Sequence, residues 1–386
     1  MSIIEVAFWS CVALTAWTYL GYPLLLAALA RVRPRRLRGG HIEPAVSVIV
    51  SAYNEEKDIA RKLQDTLALE YPRDLLEVIV ASDGSSDRTN EIVKGFEGCG
   101  VRLIALPARG GKTAAQNAAA RMARSEFLVF TDATTRFTAS ALRRLLQPFA
   151  DPRVGCVGAE LEYISRKGSL VGKGCGLYWR YEKRLKALES DVNSLIGVSG
   201  CLYAIRTRLY TPIEPDLTSD FTIALDTFAK GYLTVHAKGA VAMEDTNEDP
   251  RREFDMRTRV IIQTIHALAR RASLLNPIRY GLFSFQLWSH KVLRYLVPEL
   301  LIGALVASLV LAAHAGPRTE LYQSLVACQV GFYLGAPAAW WACRRVGFRA
   351  RPLSVPIYFA HVNAAAFWAL VSYLRGERRV TWTTAR

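Results

Sequence analysis

In the stretch FLVFTDATTRF (Phe127 to Phe137), Asp132 closes an apolar run, and the residue two places on is Thr134 rather than a second acid. A carboxylate at the end of a buried, strand-like run can hold a hard divalent cation, because phosphate oxygens and water complete such an ion's shell. A second acid, Asp83, ends the similar run LEVIVASDGSSD. It can accept hydrogen bonds from a base or ribose, or cap a turn with Gly84. Lys112, in GGKTAAQNAA, brings a positive charge suited to phosphate. The seven cysteines stand singly, with no CxxC pair and no histidine at ligand spacing, so neither a zinc site nor a disulfide framework is indicated.

The elements that must position these residues lie between Pro44 and about Ser273. Four β-branched runs, Val46 to Ala52, Leu76 to Ser82, Val101 to Leu106 and Glu126 to Asp132, are continuous rather than alternating, as for strands covered on both faces. The segments Glu55 to Leu69, Asp87 to Phe96, Thr113 to Arg124 and Ala139 to Phe149 read as helices. The pattern predicts an α/β domain with a parallel, doubly wound sheet. Ligands of such sheets bind beyond the carboxyl ends of the strands. That rule alone selects Tyr53, Asn54 and Glu55 after the first strand, Asp83 and Gly84 after the second, and Asp132 after the fourth. A dinucleotide fold would need G-x-G-x-x-G where SAYNEEKD stands, and the P-loop-like RGGKTA has Leu106 where a glycine is required. A nucleotide site built from side chains is what remains.

The motifs VSVIVSAYNEE, ASDGSSDRT, GGKTAAQNAA, FTDATT and SDFTIALDTFAKGY, in this order, resemble the family 2 glycosyltransferases, the inverting, membrane-associated branch that includes hyaluronan, cellulose and other polysaccharide synthases. The resemblance covers about Val46 to Arg271. It implies a GT-A fold, a nucleotide-sugar donor, more readily a UDP-sugar than a GDP-sugar, and Mg²⁺ or Mn²⁺. Carried over position by position, Ala52, Tyr53 and Glu55 line the nucleoside pocket, Asp83 contacts the base, and Lys112 sits near the same nucleotide. Asp132 matches the first acid of the D-x-D metal motif, and Asp220 in TSDF matches the proposed general base of T-E-D. Asp220 also reads as part of a helix N-cap. Arg257 and Arg259 stand where the Q-x-x-R-W arginine meets the leaving diphosphate, but no tryptophan follows either and Phe254 stands three before Arg257. The other reading is a basic helix against anionic lipid. Glu244 and Glu253 are acceptor-side or structural partners for these arginines.

The chemistry suits such a transfer. A cation bridging diphosphate oxygens stabilises the charge on the leaving group. A carboxylate on the opposite face of the sugar takes the acceptor proton.

The remainder reads as membrane. Ile3 to Ala30 is nearly continuously apolar and too long for a signal peptide h-region; with RVRPRRLR behind it, it predicts an anchor whose N-terminus lies outside and whose following domain is cytoplasmic. Leu293 to Ala313 and Leu321 to Cys343 are further spans. Leu353 to Leu374, with a basic tail, reads as re-entrant or interfacial, and the aromatic and basic stretch around Asn276 to Pro298 as an interfacial helix. His290 has no acid near it in sequence and reads as an interfacial polar residue. The domains expected are 1–30, 31–45, 46–275 and 276–386. The net charge of +15 over 386 residues is that of membrane flanks; no basic face interleaved with aromatics suggests nucleic acid.

The expected activity is transfer from a nucleotide sugar to a lipid-linked glycan or growing polysaccharide at the inner membrane, together with other polysaccharide-assembly proteins. Single-sugar transfer onto polyprenyl phosphate, or a non-catalytic nucleotide-sugar-binding scaffold, are the other readings.

Overall fold

The computed structural model describes residues 1–38, 40–164, 170–246, 249–314, 316–346 and 354–381. The chain begins with a helical rod, α1 (Ile3–Ala16) and α2 (Tyr22–Val32), joined by a π turn at Trp17–Gly21. Alternating units follow: β1 (Val46–Ala52), α3 (Ile59–Leu67), β2 (Leu76–Ser82), α4 (Thr89–Lys94), β3 (Val101–Ala105), α5 (Lys112–Met122) and β4 (Phe127–Asp132). The second half of the sheet comes from β5 (Arg136–Phe137), α6 (Ala141–Leu146), β6 (Val154–Ile164), α7 (Leu170–Val192), β7 (Leu202–Arg206), α8 (Ser219–Ala229) and β8 (Leu233–Asp245).

The eight strands run in the order β3-β2-β1-β4-β7-β6-β8-β5. β1 is buried at every position because it is covered on both faces. Val46, Val48 and Val50 pack with Ile59 and Leu63 of α3 and Leu142 and Leu145 of α6, while Ile49 packs with Ala115 and Ala119 of α5 and Phe221 of α8. This is why the strand reads as an unbroken apolar run. The chain leaves β1 toward β2 and β3, then returns to lay β4 on β1's other side, so the carboxyl ends of β1 and β4 flank a switch point.

The sheet is mostly parallel, as expected, and its antiparallel members are β5, which pairs with β8, and β7. β7 is antiparallel to both β4 and β6. An antiparallel strand starts where its neighbour ends, so the loop preceding β7, with Ser199, Gly200 and Cys201, arrives beside Asp132.

Among the described residues six α-helices follow: α9 (Pro250–Arg270), α10 (Pro277–Tyr280), α11 (Leu282–Leu287), α12 (Leu293–Ala313), α13 (Thr319–Val346) and α14 (Ser354–Leu374). Among the described residues three segments are long and apolar enough to cross a membrane: Ile3–Val32, Leu282–Ala313 and Val355–Leu374. The stretch read as an interfacial helix is mostly the start of the 32-residue rod Leu282–Ala313, continuous through a second π turn at Trp288–Val292. The segment read as re-entrant or interfacial forms α14 without a break, its Tyr358, His361 and Tyr373 meeting Glu253, Phe254 and His266 in step, so it runs parallel along α9. Ala366 and Ala369 close that contact on Ile261 and Ile262.

α7 is bolted to the membrane rods by buried charge. Glu182 pairs with Arg294 and, at 3.2 Å, with His290 Nε2. Glu189 Oε1 meets His290 Nδ1 at 2.6 Å and accepts from the Tyr22 hydroxyl at 2.6 Å. The acids absent around His290 in the sequence are thus supplied by a helix about a hundred residues away.

Candidate active site

The side expected to meet the nucleoside is built on β1 and β2. Ala52 ends β1 buried, and its carbonyl accepts from Asp83 N at 2.9 Å. Asn54 follows in the left-handed region (φ 51°), its Oδ1 accepting from Ser86 N at 2.8 Å, so the loops after the two strands are tied together. Glu55 is buried; its amide donates to Thr89 Oγ1 at 2.8 Å, and its carbonyl opens the turn into α3. Tyr53 carries the Arg109 guanidinium 3.9 Å above its ring. Asp83, expected at the base, has a buried carboxylate that accepts from Gly110 N at 2.7 Å and Gly111 N at 3.0 Å, holding the glycine loop that starts α5. Gly111 has φ +92°, and a Cβ there would fall 2.7 Å from the Val380 carbonyl oxygen. The chain's tail therefore lies directly over this loop. It is held there by Gln263 Nε2, which donates to Arg379 O at 2.6 Å.

Lys112 and Asp132 meet at the switch point, Nζ to Oδ1 at 2.5 Å, and Nζ also donates to Gly200 O at 3.2 Å. Burial would lower the Lys112 pKa, but the Asp132 carboxylate outweighs it and raises it instead. Thr134, the residue standing in for a second acid, is exposed. Its neighbour Thr135 is buried and donates to Glu244 Oε1 at 2.7 Å. Glu244 is therefore a partner of the Asp132 loop, not of the arginines, and burial together with the Asp132 charge raises its pKa. Below them Lys62 reaches up from α3, bonding Thr131 Oγ1 at 2.9 Å and Thr135 O at 2.7 Å; burial lowers its pKa to about 7.

Asp220 comes from the other half of the sheet. It is the second residue of α8, after the N-cap Thr218, whose hydroxyl donates to it, as does Phe221 N at 2.9 Å. A Cβ on Gly200 would lie 3.0 Å from Asp220 Oδ2 and 3.5 Å from Lys112 Nζ, so only a glycine lets Asp220 and Lys112 close on the same point. The two arginines of α9 part company. Arg257 pairs with Glu253 at 2.7 Å and with the Tyr358 hydroxyl, stacked over Tyr178 and Tyr358, and so fastens α9 to α14. Arg259, half-buried, turns toward the site instead; desolvation lowers its pKa, opposed by the carboxylates of Asp220 and Asp132.

Asp132, Lys112, Asp220 and Arg259 thus share one edge, with Tyr53 and Arg109 at its β1–β2 end and Arg257 outside it. Lys62 and Arg109 carried no sequence signal beyond their charge, since their place depends on packing. The donor set fits a hard cation: Asp132 and Glu244 are carboxylates whose mutual repulsion a divalent ion would relieve. Among the described residues no three acids, histidines or cysteines surround one point, so most of such an ion's shell would come from ligand and water.

Residues 47–209 match the family described as Glycosyl transferase family 2. The chain is 30% identical over 165 residues to the poly-beta-1,6-N-acetyl-D-glucosamine synthase of Staphylococcus epidermidis, a match covering 40% of this chain and 38% of that one. Over 161 residues it is 30% identical to the beta-monoglucosyldiacylglycerol synthase of Trichormus variabilis, covering 41% and 34%. The matches thus span little more than a third of these curated relatives. The mannosyltransferase PcManGT of Pyrobaculum calidifontis, solved with GDP-Man and Mn²⁺, superposes on 97% of this chain and 100% of its own with a TM-score of 0.71 at 24% identity, a likeness of fold. Residues 47–209 thus match glycosyl transferase family 2, in a mostly parallel sheet of GT-A type.

Proposed function

We propose that the protein is a membrane-bound inverting glycosyltransferase that moves a sugar from a nucleotide-sugar donor, best a UDP-sugar, to an acceptor lipid or glycan. The observation that carries this reading is the convergence of Asp132 and Asp220, from opposite halves of the sheet, on either side of Lys112. The nucleoside would lie between Tyr53, Arg109 and the Asp83-held loop. Lys112 and Arg259 would face the diphosphate, where positive charge favours departure of the leaving group. Asp132, with Glu244 beside it, would hold Mg²⁺ or Mn²⁺, which when bound supplies Lewis-acid stabilisation of diphosphate oxygens. Asp220, held by Thr218 and Phe221 N, would take the acceptor hydroxyl's proton from the far face of the sugar.

The arginine-rich row from Arg31 to Arg38 supports a cytoplasmic catalytic domain with the N-terminus outside. α13, 28 residues long, reaches about 42 Å, enough to return the chain across the bilayer after α12. The contacts of α14 along α9, and of the tail with Gln263 and His266, favour a last helix that stays on the catalytic side although its composition would let it cross.

The test is binding and hydrolysis of a panel of nucleotide sugars by the detergent-solubilised chain with Mn²⁺. Asp132→Ala should abolish cation-dependent donor binding, and exposed Thr134→Ala should leave it nearly intact. Failure of the wild type to bind or hydrolyse any donor sinks the reading.

A further inference from the structure

Two lysines stand on the membrane side of Asp220, where the donor machinery has no use for them. Lys186 reaches back from α7 and donates to Ser199 Oγ at 3.2 Å, one residue before the glycine that lies against Asp220. Lys291 comes from the π turn at the head of the Leu282–Ala313 rod, its Nζ 5.4 Å from the centre of the Phe221 ring, next to Asp220 in the chain. The two ammonium groups repel each other, and both lie within the field of Glu182. That carboxylate is already engaged by Arg294 and His290. Among the described residues Lys186 makes one hydrogen bond and no ion pair, and Lys291 makes neither. Like charges drawn together with no ion pair of their own, Lys186 feeling the Asp220 carboxylate as well as Glu182, form an anion site at the junction of Asp220 and the Leu282–Ala313 rod. Lys112 and Arg259 already serve the donor's diphosphate, so this second pair is in excess of what the donor needs.

Resting on the glycosyltransferase reading, we propose that the acceptor is a phosphate-bearing lipid whose headgroup phosphate is held by Lys186 and Lys291 while its nucleophilic oxygen is presented on the Asp220 side of the sugar. The lipid source, rather than a soluble phosphate, follows from Lys291, which stands on the rod that enters the membrane. In the step itself the acceptor oxygen forms a bond to the sugar's anomeric carbon, the bond from that carbon to the donor phosphate breaks, and the nucleoside diphosphate leaves with the electron pair. A proton on the acceptor oxygen passes to Asp220. The relatives named for a polysaccharide and for a diacylglycerol glycolipid suggest acceptors without such a phosphate, so the proposal separates this chain from both.

The experiment uses the full chain in phosphatidylcholine nanodiscs with the donor it turns over, supplied with a polyprenyl phosphate, a diacylglycerol, or a water-soluble sugar phosphate. The polyprenyl phosphate should stimulate turnover well beyond the other two. Lys291→Gln and Lys186→Gln should each raise its KM by about tenfold, the loss of one charge-assisted contact. Donor KM and the slow acceptor-independent donor hydrolysis should stay as in the wild type, and Lys291→Arg should recover most of the affinity. Half-buried Lys291 makes its variant the one expected to fold normally. Equal stimulation by diacylglycerol, preference for the soluble phosphate, an unchanged acceptor KM, or a parallel rise in donor KM would each overturn the proposal. Absence of any donor hydrolysis in the wild type would instead count against the glycosyltransferase reading itself.

Discussion

Two clusters of charge are buried within a few residues of each other, and they are built on opposite plans. Around Glu182 and Glu189, two carboxylates are matched by Arg294, His290 and a tyrosine hydroxyl on two elements of the membrane rods. At the switch point, Asp132 and Asp220 sit among Lys112, Lys62, Arg259 and, a little further off, Lys186. In the first cluster the two carboxylates are matched by partners and fix one element on another, although Glu189 Oε2 and Arg294 Nε have no hydrogen-bond partner. The second has cations to spare, and a partly buried surplus of one sign is tolerable only where a ligand of the other sign arrives. The balance of charge, rather than burial or pKa displacement, distinguishes the structural cluster from the functional one.

The contrast can be broken by mutation. Asp220→Asn should lower transfer by about 10² to 10⁴-fold, as expected for a lost general base, with donor binding by calorimetry and the melting temperature close to wild type. Glu182→Ala strands the Arg294 guanidinium in the docking cluster and should cost about 3–5 kcal/mol, read as a large drop in thermal stability in detergent. A stable Glu182→Ala protein would dissolve the distinction. The arginines of α9 repeat the comparison two residues apart. Arg257→Ala should destabilise by about 1–3 kcal/mol, through the carboxylate it leaves buried at Glu253, while Arg259→Ala should cut turnover with little change in melting temperature.

His236 on β8, beside Lys186, gives an effect that is expressed only on acidification. Burial, then the Lys186 charge, lowers its pKa from 6.5 to about 4. The unfolded chain therefore takes up a proton in a window where the folded one does not. Stability should be complete above about pH 6.5 and fall by up to about 3 kcal/mol as the pH drops toward 4. His236→Gln should flatten this part of the pH–stability curve.

How much of this was legible beforehand follows from where each interaction lives. The strands from β1 to β4 were readable because a strand covered on both faces must be apolar at every position, and the carboxyl-end rule then picked out Tyr53, Glu55, Asp83 and Asp132 with no knowledge of contacts. The antiparallel β7 was not readable, because strand direction depends on the route of α7 and not on the five residues of β7 itself. For the same reason Ser199 and Gly200 carried no signal, although they join Asp132 to Asp220. Asp83 illustrates the middle ground: its place at the ligand edge was clear, but its commitment to the amides of Gly110 and Gly111 needed the loop's path.

The sequence by itself determined the α/β domain, its flanking membrane rods and the acids at the end of each strand, since these follow from local periodicity and from how far an apolar run extends. Only the tertiary structure decided which charges are spent and which are free. It gave His290 its acids, divided Arg257 from Arg259, and drew Lys186 and Lys291 together, because a charge's fate is set by partners that are distant in the chain and near in space.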